Sequence, residues 1–245
     1  MKEYIYGRNP VYEALRAKRR QAFQLLVAEG AKEKGRLAEI IQMAERQKVQ
    51  IYSASRKRLE KIAVNNQGVA LEVSRYPYQN MHDIFDRAEQ RGEPPFVLLL
   101  DTLQDPQNFG TLLRTAEAVG VHGVVIPLAR TAEVTAAVVN ASSGASEHLL
   151  IAQANLSQAI SSLKEAGAWI VGLEGSPQAQ TPSEIRLDGA IGIVVGSEGD
   201  GMRPLTRKSC DLLMKLPMQG EIESLNAATA GSVALYLTYL ARNKS

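Results

Sequence analysis

Continuous apolar segments with the length of β-strands recur through the second part of the sequence. The first of them, 96–100, consists of Phe-Val-Leu-Leu-Leu. A strand without a polar face is typical of a parallel sheet that helices cover on both sides. Segments with helical periodicity separate these strands, so the alternation predicts an α/β fold with a doubly wound parallel sheet. Further strands are predicted at 123–127, 149–152, 169–173, 190–195 and 212–216, and helices at 110–119, 132–140, 155–166, 203–209 and 225–241.

Residues 1–75 contain shorter apolar runs and predict a separate, small α/β domain. Asn9 followed by Pro10 is typical of a helix start, with the asparagine as the cap. Prolines and polar residues over 76–95 predict a linker with one short helix at 81–89, so that the second domain spans 96–245. Within the first domain, strands are predicted at 24–28, 49–52 and 69–73, with helices at 37–44 and from Ser55 to Ile62.

Charge is distributed unevenly between these domains. The whole chain has a formal net charge of +2, but residues 1–75 contain 16 Lys and Arg against 8 Asp and Glu, whereas residues 76–245 contain 12 against 18. A basic domain joined to an acidic one predicts that the first binds a polyanion, for which nucleic acid is the simplest candidate. The alternative is a solvated basic face without a partner.

Several classes of protein are disfavoured by composition. No apolar run approaches the roughly 18 residues of a membrane span, and the N-terminus has no signal pattern, so we expect a cytoplasmic protein that does not enter a membrane. The single cysteine, Cys210, excludes an internal disulfide. It has no cysteine or histidine constellation around it, which favours a passive role over that of a nucleophile. The three histidines lack ligand spacing, so no metal site is expected.

Three clusters follow predicted strands, at the sheet edge where open α/β sheets bind ligands. In the first, 101–116, Asn108 is predicted to cap a helix. Arg114 is predicted in the first turns of that helix, close to the strand end, and is a charge among apolar neighbours that needs a partner or a ligand. The second, 196–203, contains three glycines that bring backbone amides close to a ligand, with Glu198 as an acceptor. Its glycine order and late position argue against a dinucleotide-binding fingerprint.

The third cluster, 216–231, leads into the long final helix. Ser224 is predicted to cap that helix. Asn226 would lie inside the first turn, where asparagine is unfavourable, and is therefore a candidate functional residue. The small residues that follow predict close packing against another segment or a subunit.

Together, the three clusters resemble motifs one to three of the SpoU/TrmH branch of the SPOUT RNA methyltransferases, over about 96–242. Residues 5–15 are similar to the start of members that carry a ribosomal-protein-like RNA-binding domain. Within the family, the chain most resembles enzymes that methylate a guanosine ribose of 23S rRNA. It departs from the usual third motif, Ser-Leu-Asn-Val-Ser-Val-Ala, by having Ala-Ala-Thr after the asparagine at 227–229, which removes the second serine and its hydrogen bond.

The resemblance implies a C-terminal trefoil knot, a homodimer whose active site takes residues from both subunits, and S-adenosylmethionine (AdoMet) as the methyl donor. Cofactor-binding positions carried onto this sequence are Gly196, Leu216, Leu225, Leu173 and Gly172. The catalytic positions are Arg114, Asn108, Glu198, Ser224 and Asn226.

For ribose methylation, the family's arginine is held to accept the 2′-hydroxyl proton. Guanidinium groups in proteins stay protonated, so we expect Arg114 to stabilise the developing alkoxide and grip a phosphate, which leaves the base unassigned. The other four catalytic positions would fix the arginine and the ribose. Three alternatives stay open: a tRNA ribose or a resistance-conferring rRNA site as target, a catalytically silent RNA-binding ribosome-assembly factor, and, more remotely, a nucleotide-dependent oxidoreductase.

Overall fold

In a computed structural model, which describes residues 2–129, 131–197, 199–222 and 224–243, the chain divides into two compact units. The first unit contains Met1–Pro77 together with Glu133–His148, and the second contains Tyr78–Ala132 together with Leu149–Ser245. Glu198, one of the predicted catalytic residues, lies outside the described residues.

The first unit contains a four-stranded mixed sheet in the order β1-β4-β2-β3, in which only β2 and β3 are parallel. The sequence patterns did not predict β1, because only Ile5 of this edge strand is fully buried. Its strands are β1 Lys2–Tyr6, β2 Ala22–Ala28, β3 Gln50–Ala54 and β4 Val69–Ser74, and its helices before residue 77 are α1 Arg8–Ala17, α2 Arg36–Arg46 and α3 Arg56–Ile62.

The helix starts of this unit were predicted with mixed success. The helix predicted from Ser55 is confirmed as α3, with Ser55 as its cap, because the Ser55 side chain accepts a hydrogen bond from the Arg58 amide. The prediction that Asn9 caps α1 was wrong, since the helix begins at Arg8, after Gly7. There the Arg8 amide donates to the side-chain oxygen of Gln67 at 2.8 Å, so a residue distant in sequence satisfies the helix end.

The second unit contains six parallel strands in the order β10-β8-β9-β5-β6-β7, which confirms the predicted parallel sheet. The knot that the resemblance implies stays a prediction. The strands are β5 Phe96–Leu100, β6 Gly123–Ile126, β7 Ile151–Gln153, β8 Trp169–Leu173, β9 Ile191–Val195 and β10 Leu212–Met214. The helices of the second unit are α4 Met81–Arg91, α5 Pro106–Ala118, α7 Leu156–Glu165, α8 Pro204–Ser209 and α9 Ala227–Arg242. Helix α6, Ala136–Ala141, belongs to the first unit.

Helices cover both faces of the six-stranded sheet. On one face, α4 and α7 share a buried cluster with strand residues such as Val97 and Leu99. On the other face, α5 packs against α9, and α9 packs against β9. A Cβ added to Gly231 of α9 would lie 2.6 Å from Cδ2 of Leu112 and 3.0 Å from Cγ2 of Val195, so this helix approaches as closely as its small residues predicted.

The boundaries of the two compact units differ from the predicted domain boundaries. Residues 81–91, assigned by sequence to the linker, form α4, and its Ile84 is completely buried in the second unit. Residues 133–148, assigned to the second domain, pack in the first unit as α6 and a 3-10 helix, Ala145–His148. No short-range pattern indicates this second assignment, because it depends on contacts with the distant residues 1–77.

A buried ion pair holds this inserted segment in the first unit. Both nitrogens Nε and Nη2 of Arg20 donate to the carboxylate of Glu147, at 2.9 and 2.8 Å, and both side chains are 1% exposed. Glu3 also accepts from Arg20, and the Arg20 guanidinium lies over the ring of Tyr76. Burial raises the pKa of Glu147, whereas the arginine opposes that shift.

We expect Glu147→Ala to lower the free energy of unfolding by about 3–5 kcal/mol, because it leaves a buried guanidinium without its bidentate partner. Equilibrium urea unfolding followed by circular dichroism measures this. Glu60→Ala is the matched control, since it breaks an exposed pair with Arg56 and should change stability by less than about 0.5 kcal/mol. Equal effects of the two substitutions would contradict a structural role for the buried pair.

Candidate active site

The carboxyl ends of β10, β8, β9 and β5 are adjacent at one edge of the parallel sheet. Four segments follow these ends: 101–105 after β5, 174–181 after β8, 196–203 after β9 and 215–226 after β10. Open α/β sheets bind ligands at this edge. Two clefts lie among these segments.

The first cleft has a volume of about 540 Å³ and opens between the segments after β8, β9 and β10. This size is within the roughly 300–1,000 Å³ of small-molecule sites. The described part of its lining combines aliphatic side chains, glycines and four charged groups. The lining residues include Leu173, Glu174, Val195, Gly196, Ser197, Asp200, Arg207, Met214, Lys215, Leu216, Ser224 and Leu225.

The glycine-rich segment 196–203, which we name the glycine loop, folds back on itself. Ser197 and Gly201 exchange backbone hydrogen bonds at 3.0 and 3.2 Å. A Cβ on Gly196 would lie 2.3 Å from the carbonyl carbon of Gly201 and 2.4 Å from the Met202 amide nitrogen. Any side chain at position 196 would therefore displace the backbone of the loop.

A buried carboxylate anchors the end of the glycine loop. Asp101, directly after β5, is 0% exposed, and it accepts hydrogen bonds from the backbone amide of Arg203 at 2.8 Å and from its Nε at 2.6 Å. The Asp101 amide donates to the carbonyl of Val195 at 2.8 Å. Asp101 was not among the predicted site residues, although an acid that directly follows an apolar strand is a signal for a buried, paired carboxylate.

The second cleft, of about 530 Å³, lies on the other side of the glycine loop. It is lined by 102–105, Asn108 and 203–204. Of the described residues of the glycine loop, four line both clefts: Ser197, Asp200, Gly201 and Met202. The loop thus separates a cleft lined partly by aliphatic side chains from one that is reached by Asn108.

Four of the five predicted cofactor-binding residues line the first cleft: Gly196, Leu216, Leu225 and Leu173. Their role in binding stays a prediction. Gly172 is not among the residues that line the cleft. A Cβ at this position would lie 2.7 Å from Cε of Met202 and 2.8 Å from Sγ of Cys210, so the glycine makes room for packing beneath the loop.

Two predicted catalytic residues are hydrogen-bonded to each other. Nδ2 of Asn226 donates to Oδ1 of Asn108 at 3.0 Å, across 118 positions of sequence. Both predicted helix caps near them were wrong. Asp105, and not Asn108, caps α5, and Asn226, and not Ser224, caps α9 by accepting from the amides of residues 228 and 229. Ser224 instead lines the first cleft.

Arg114 lies in the third turn of α5 with an exposed side chain. It is not among the described residues that line either cleft. The sequence placed it in the first turns, close to the strand end, so the structure corrects that position. The burial expected from Leu112 and Leu113 is absent, because these neighbours point into the core while the arginine faces outward.

The first cleft also contains a charged pair that no sequence pattern indicated. Nε of Arg207 donates to the Glu174 carboxylate at 2.6 Å, and this hydrogen bond lowers the pKa of Glu174. Cys210 lies outside the lining, and burial raises the pKa of its thiol to about 12, so it stays protonated, as expected for a passive role. The described residues contain neither a cluster of three or more potential metal-ligating His, Cys, Asp or Glu nor a helix able to cross a membrane.

Comparison with known families assigns both parts of the chain. Residues 95–236 match the SpoU rRNA Methylase family. The chain belongs to this family. Residues 4–79 match the domain described as RNA 2'-O ribose methyltransferase substrate binding. These matches confirm the predicted family and the predicted class of enzyme, an RNA methyltransferase.

Individual relatives agree with this assignment. The chain is 39% identical, over 98% of its length and 96% of the relative's, to YacO of Bacillus subtilis (strain 168), named as a TrmH family tRNA/rRNA methyltransferase. It is 40% identical to a tRNA/rRNA methyltransferase of Mycolicibacterium vanbaalenii, over 95% of this chain and 74% of that one.

A solved structure shows the same fold. The SpoU methyltransferase AviRb from Streptomyces viridochromogenes, in complex with the cofactor AdoMet, has a TM-score of 0.82 at 20% identity, covering 100% of this chain and 92% of that chain. The likeness in fold covers the residues of both units of this chain.

We expect Gly196→Ala to weaken AdoMet binding by more than about tenfold, which requires only ~1.4 kcal/mol, because the added methyl group displaces the loop that lines the first cleft. Isothermal titration calorimetry measures the affinity. Gly189→Ala is the control, since nothing lies within 4 Å of its added Cβ. Unchanged AdoMet binding by the Gly196 variant would show that the glycine loop is not part of the cofactor site.

Proposed function

We propose that this RNA methyltransferase transfers the methyl group of AdoMet to a ribose 2′-hydroxyl, with a guanosine of 23S rRNA as the target. The observation that carries the proposal is the pair of clefts on opposite sides of the glycine loop. Methyl transfer requires the methyl donor and the acceptor oxygen to be bound side by side and aligned for in-line displacement. Positioning these two groups accounts for much of the catalysis.

The first cleft fits the methyl donor. Leu173, Leu216 and Leu225 offer apolar surface for an adenine ring. Glu174, kept ionised by its bond to Arg207, offers negative charge to a cationic group. Bound AdoMet supplies an electrophilic methyl group on a sulfonium. The glycine loop, which lines both clefts, would hold that group at their border.

The second cleft is the proposed site of the target ribose. Asn108 lines it, and Asn226 orients Asn108 by donating to its side-chain oxygen. Held by this bond, the side chain of Asn108 would position the target ribose. Ser224 and Glu198, by their places in the motifs, would complete the positioning.

We place Arg114 at the active site of a partner subunit in a homodimer. Its exposed position on α5, outside the lining of both clefts, supports this placement. Exposed apolar residues on α9, Val233, Tyr236 and Leu240, offer a surface that a second copy would cover. The guanidinium would stabilise the developing alkoxide there and hold a phosphate.

The first unit would bind RNA mainly through the excess of Lys and Arg in residues 1–75. With ribosomal RNA as its substrate, the protein would act in the cytoplasm. The family matched over 95–236 is described by its action on rRNA, which favours a ribosomal over a transfer RNA target.

Mass-spectrometric mapping of ribose methylation tests the proposal, on ribosomal and transfer RNA incubated with the protein and labelled AdoMet. A single 2′-O-methylguanosine in 23S rRNA is the expected product. Methylation of a transfer RNA alone would keep the proposed reaction but make transfer RNA the substrate. Tight RNA binding without any label transfer would favour the silent assembly factor.

We expect Arg114→Ala to abolish methyl transfer while AdoMet binding stays nearly unchanged. If the arginine acts across subunits, mixing this variant with Gly196→Ala restores roughly a quarter of wild-type activity, because half of randomly formed dimers are mixed and each has one intact site. Arg186→Ala, at an exposed arginine, is the control and should remain active. No recovery in the mixture would place Arg114 within its own subunit's site.

A further inference from the structure

One face of the first unit's sheet carries three tyrosines. Paired positions on neighbouring strands point to the same face of a sheet. Tyr6, Ala70, Leu26 and Tyr52 therefore form one row across all four strands. Tyr4, Glu72, Gln24 and Gln50 form the next row. Three of the chain's 8 tyrosines lie in these two rows, which we name the tyrosine face.

Only part of the tyrosine face is covered within the first unit. The short helix α3 packs there through Leu59, which is buried with Leu26, Ala54 and Ala70. Tyr4 and Tyr6 are half-buried beside this cluster. Tyr52 is 46% exposed and is not part of the cluster.

Hydrogen bonds hold the polar groups of the tyrosine face in place. Nε2 of Gln24 donates to the Tyr4 hydroxyl at 3.2 Å and to Glu72 at 3.1 Å. The ammonium of Lys2 donates to Glu72, so the one carboxylate of the two rows is already paired. The Lys2 ammonium also lies over the ring of Phe23, 4.1 Å from its centroid. An organised surface of this kind presents its rings without first losing side-chain entropy.

The surroundings of the tyrosine face are cationic. Four of the seven residues of α3, Arg56, Lys57, Arg58 and Lys61, are basic and one is acidic. The three at 56–58 are exposed. Aromatic rings bordered by cations are the features with which proteins bind unpaired bases, since the rings stack on the bases and the cations contact the phosphates.

We propose that the tyrosine face binds single-stranded segments of the substrate RNA, with the ring of Tyr52 stacked on an unpaired base. This inference rests on the proposed function and deepens it by naming the recognised chemistry. Tyr6 and Tyr52 lie on the two edge strands, roughly 14 Å apart by the spacing of strands, so each ring takes a separate base. Bases within a duplex are inaccessible to such rings, so the face selects loops over helices.

The test uses the full-length protein and two probes. One is a single-stranded oligoadenylate of about 12 nucleotides, within the site sizes of single-strand-binding domains, that contains the fluorescent base 2-aminopurine. The other is the same strand paired with its complement. Stacking on a tyrosine quenches the fluorescence of the first probe, and titration gives both affinities.

Tyr52→Leu should weaken binding of the single strand by about 5- to 150-fold, the equivalent of the ~1–3 kcal/mol of a base–aromatic stack, and abolish the quenching. Binding of the duplex, which depends on charge, should not change. Tyr52→Phe should restore both affinity and quenching, because it keeps the ring. Ile51→Ala is the matched control, since Ile51 is 37% exposed in the same strand but points to the opposite face.

Unchanged single-strand binding by Tyr52→Leu would overturn the proposal, as would failure of the wild-type protein to bind the single strand. A change in sedimentation of Tyr52→Leu instead of a change in RNA affinity would assign the face to a second copy of the chain, and would also overturn it. Methyl transfer to ribosomal RNA, measured on the same preparations, separates these failures from a failure of the proposed function.

Discussion

The arrangement of the active site depends on the contact between Asp101 and Arg203. This buried carboxylate joins the end of β5 to the end of the glycine loop through two hydrogen bonds to one arginine. Because an unpaired buried carboxylate is costly, the loop is held where it can satisfy this group. The same loop closes on itself at Gly196, and it thereby separates the two clefts.

Much of the second unit's architecture could be predicted, because its strands are buried on both faces. The predicted strand at 169–173 has the bounds that the structure shows for β8, and the predicted strand at 96–100 those of β5. Helix ends were less predictable. Asn226 was taken for a helical residue, yet it caps α9 and also contacts Asn108, a partner that is 118 positions away.

The glycines and leucines of the first cleft could be located by resemblance, because short motifs place them after strands. The groups that hold these residues in place could not. Asp101 and Arg203 are 102 positions apart, and the packing role of Gly172 depends on Met202 and Cys210. The transfer of 133–148 to the first unit likewise depends on Arg20, whose partner Glu147 no local pattern indicates.

Amide hydrogen exchange can show whether the glycine loop separates a cofactor cleft from a target cleft. The exchange of the full-length protein is compared with and without AdoMet. The account predicts slower exchange in peptides that cover 196–203 and 214–227, while 102–108 exchanges at an unchanged rate. Protection of 102–108 without protection of the glycine loop would place the cofactor in the other cleft and contradict the account.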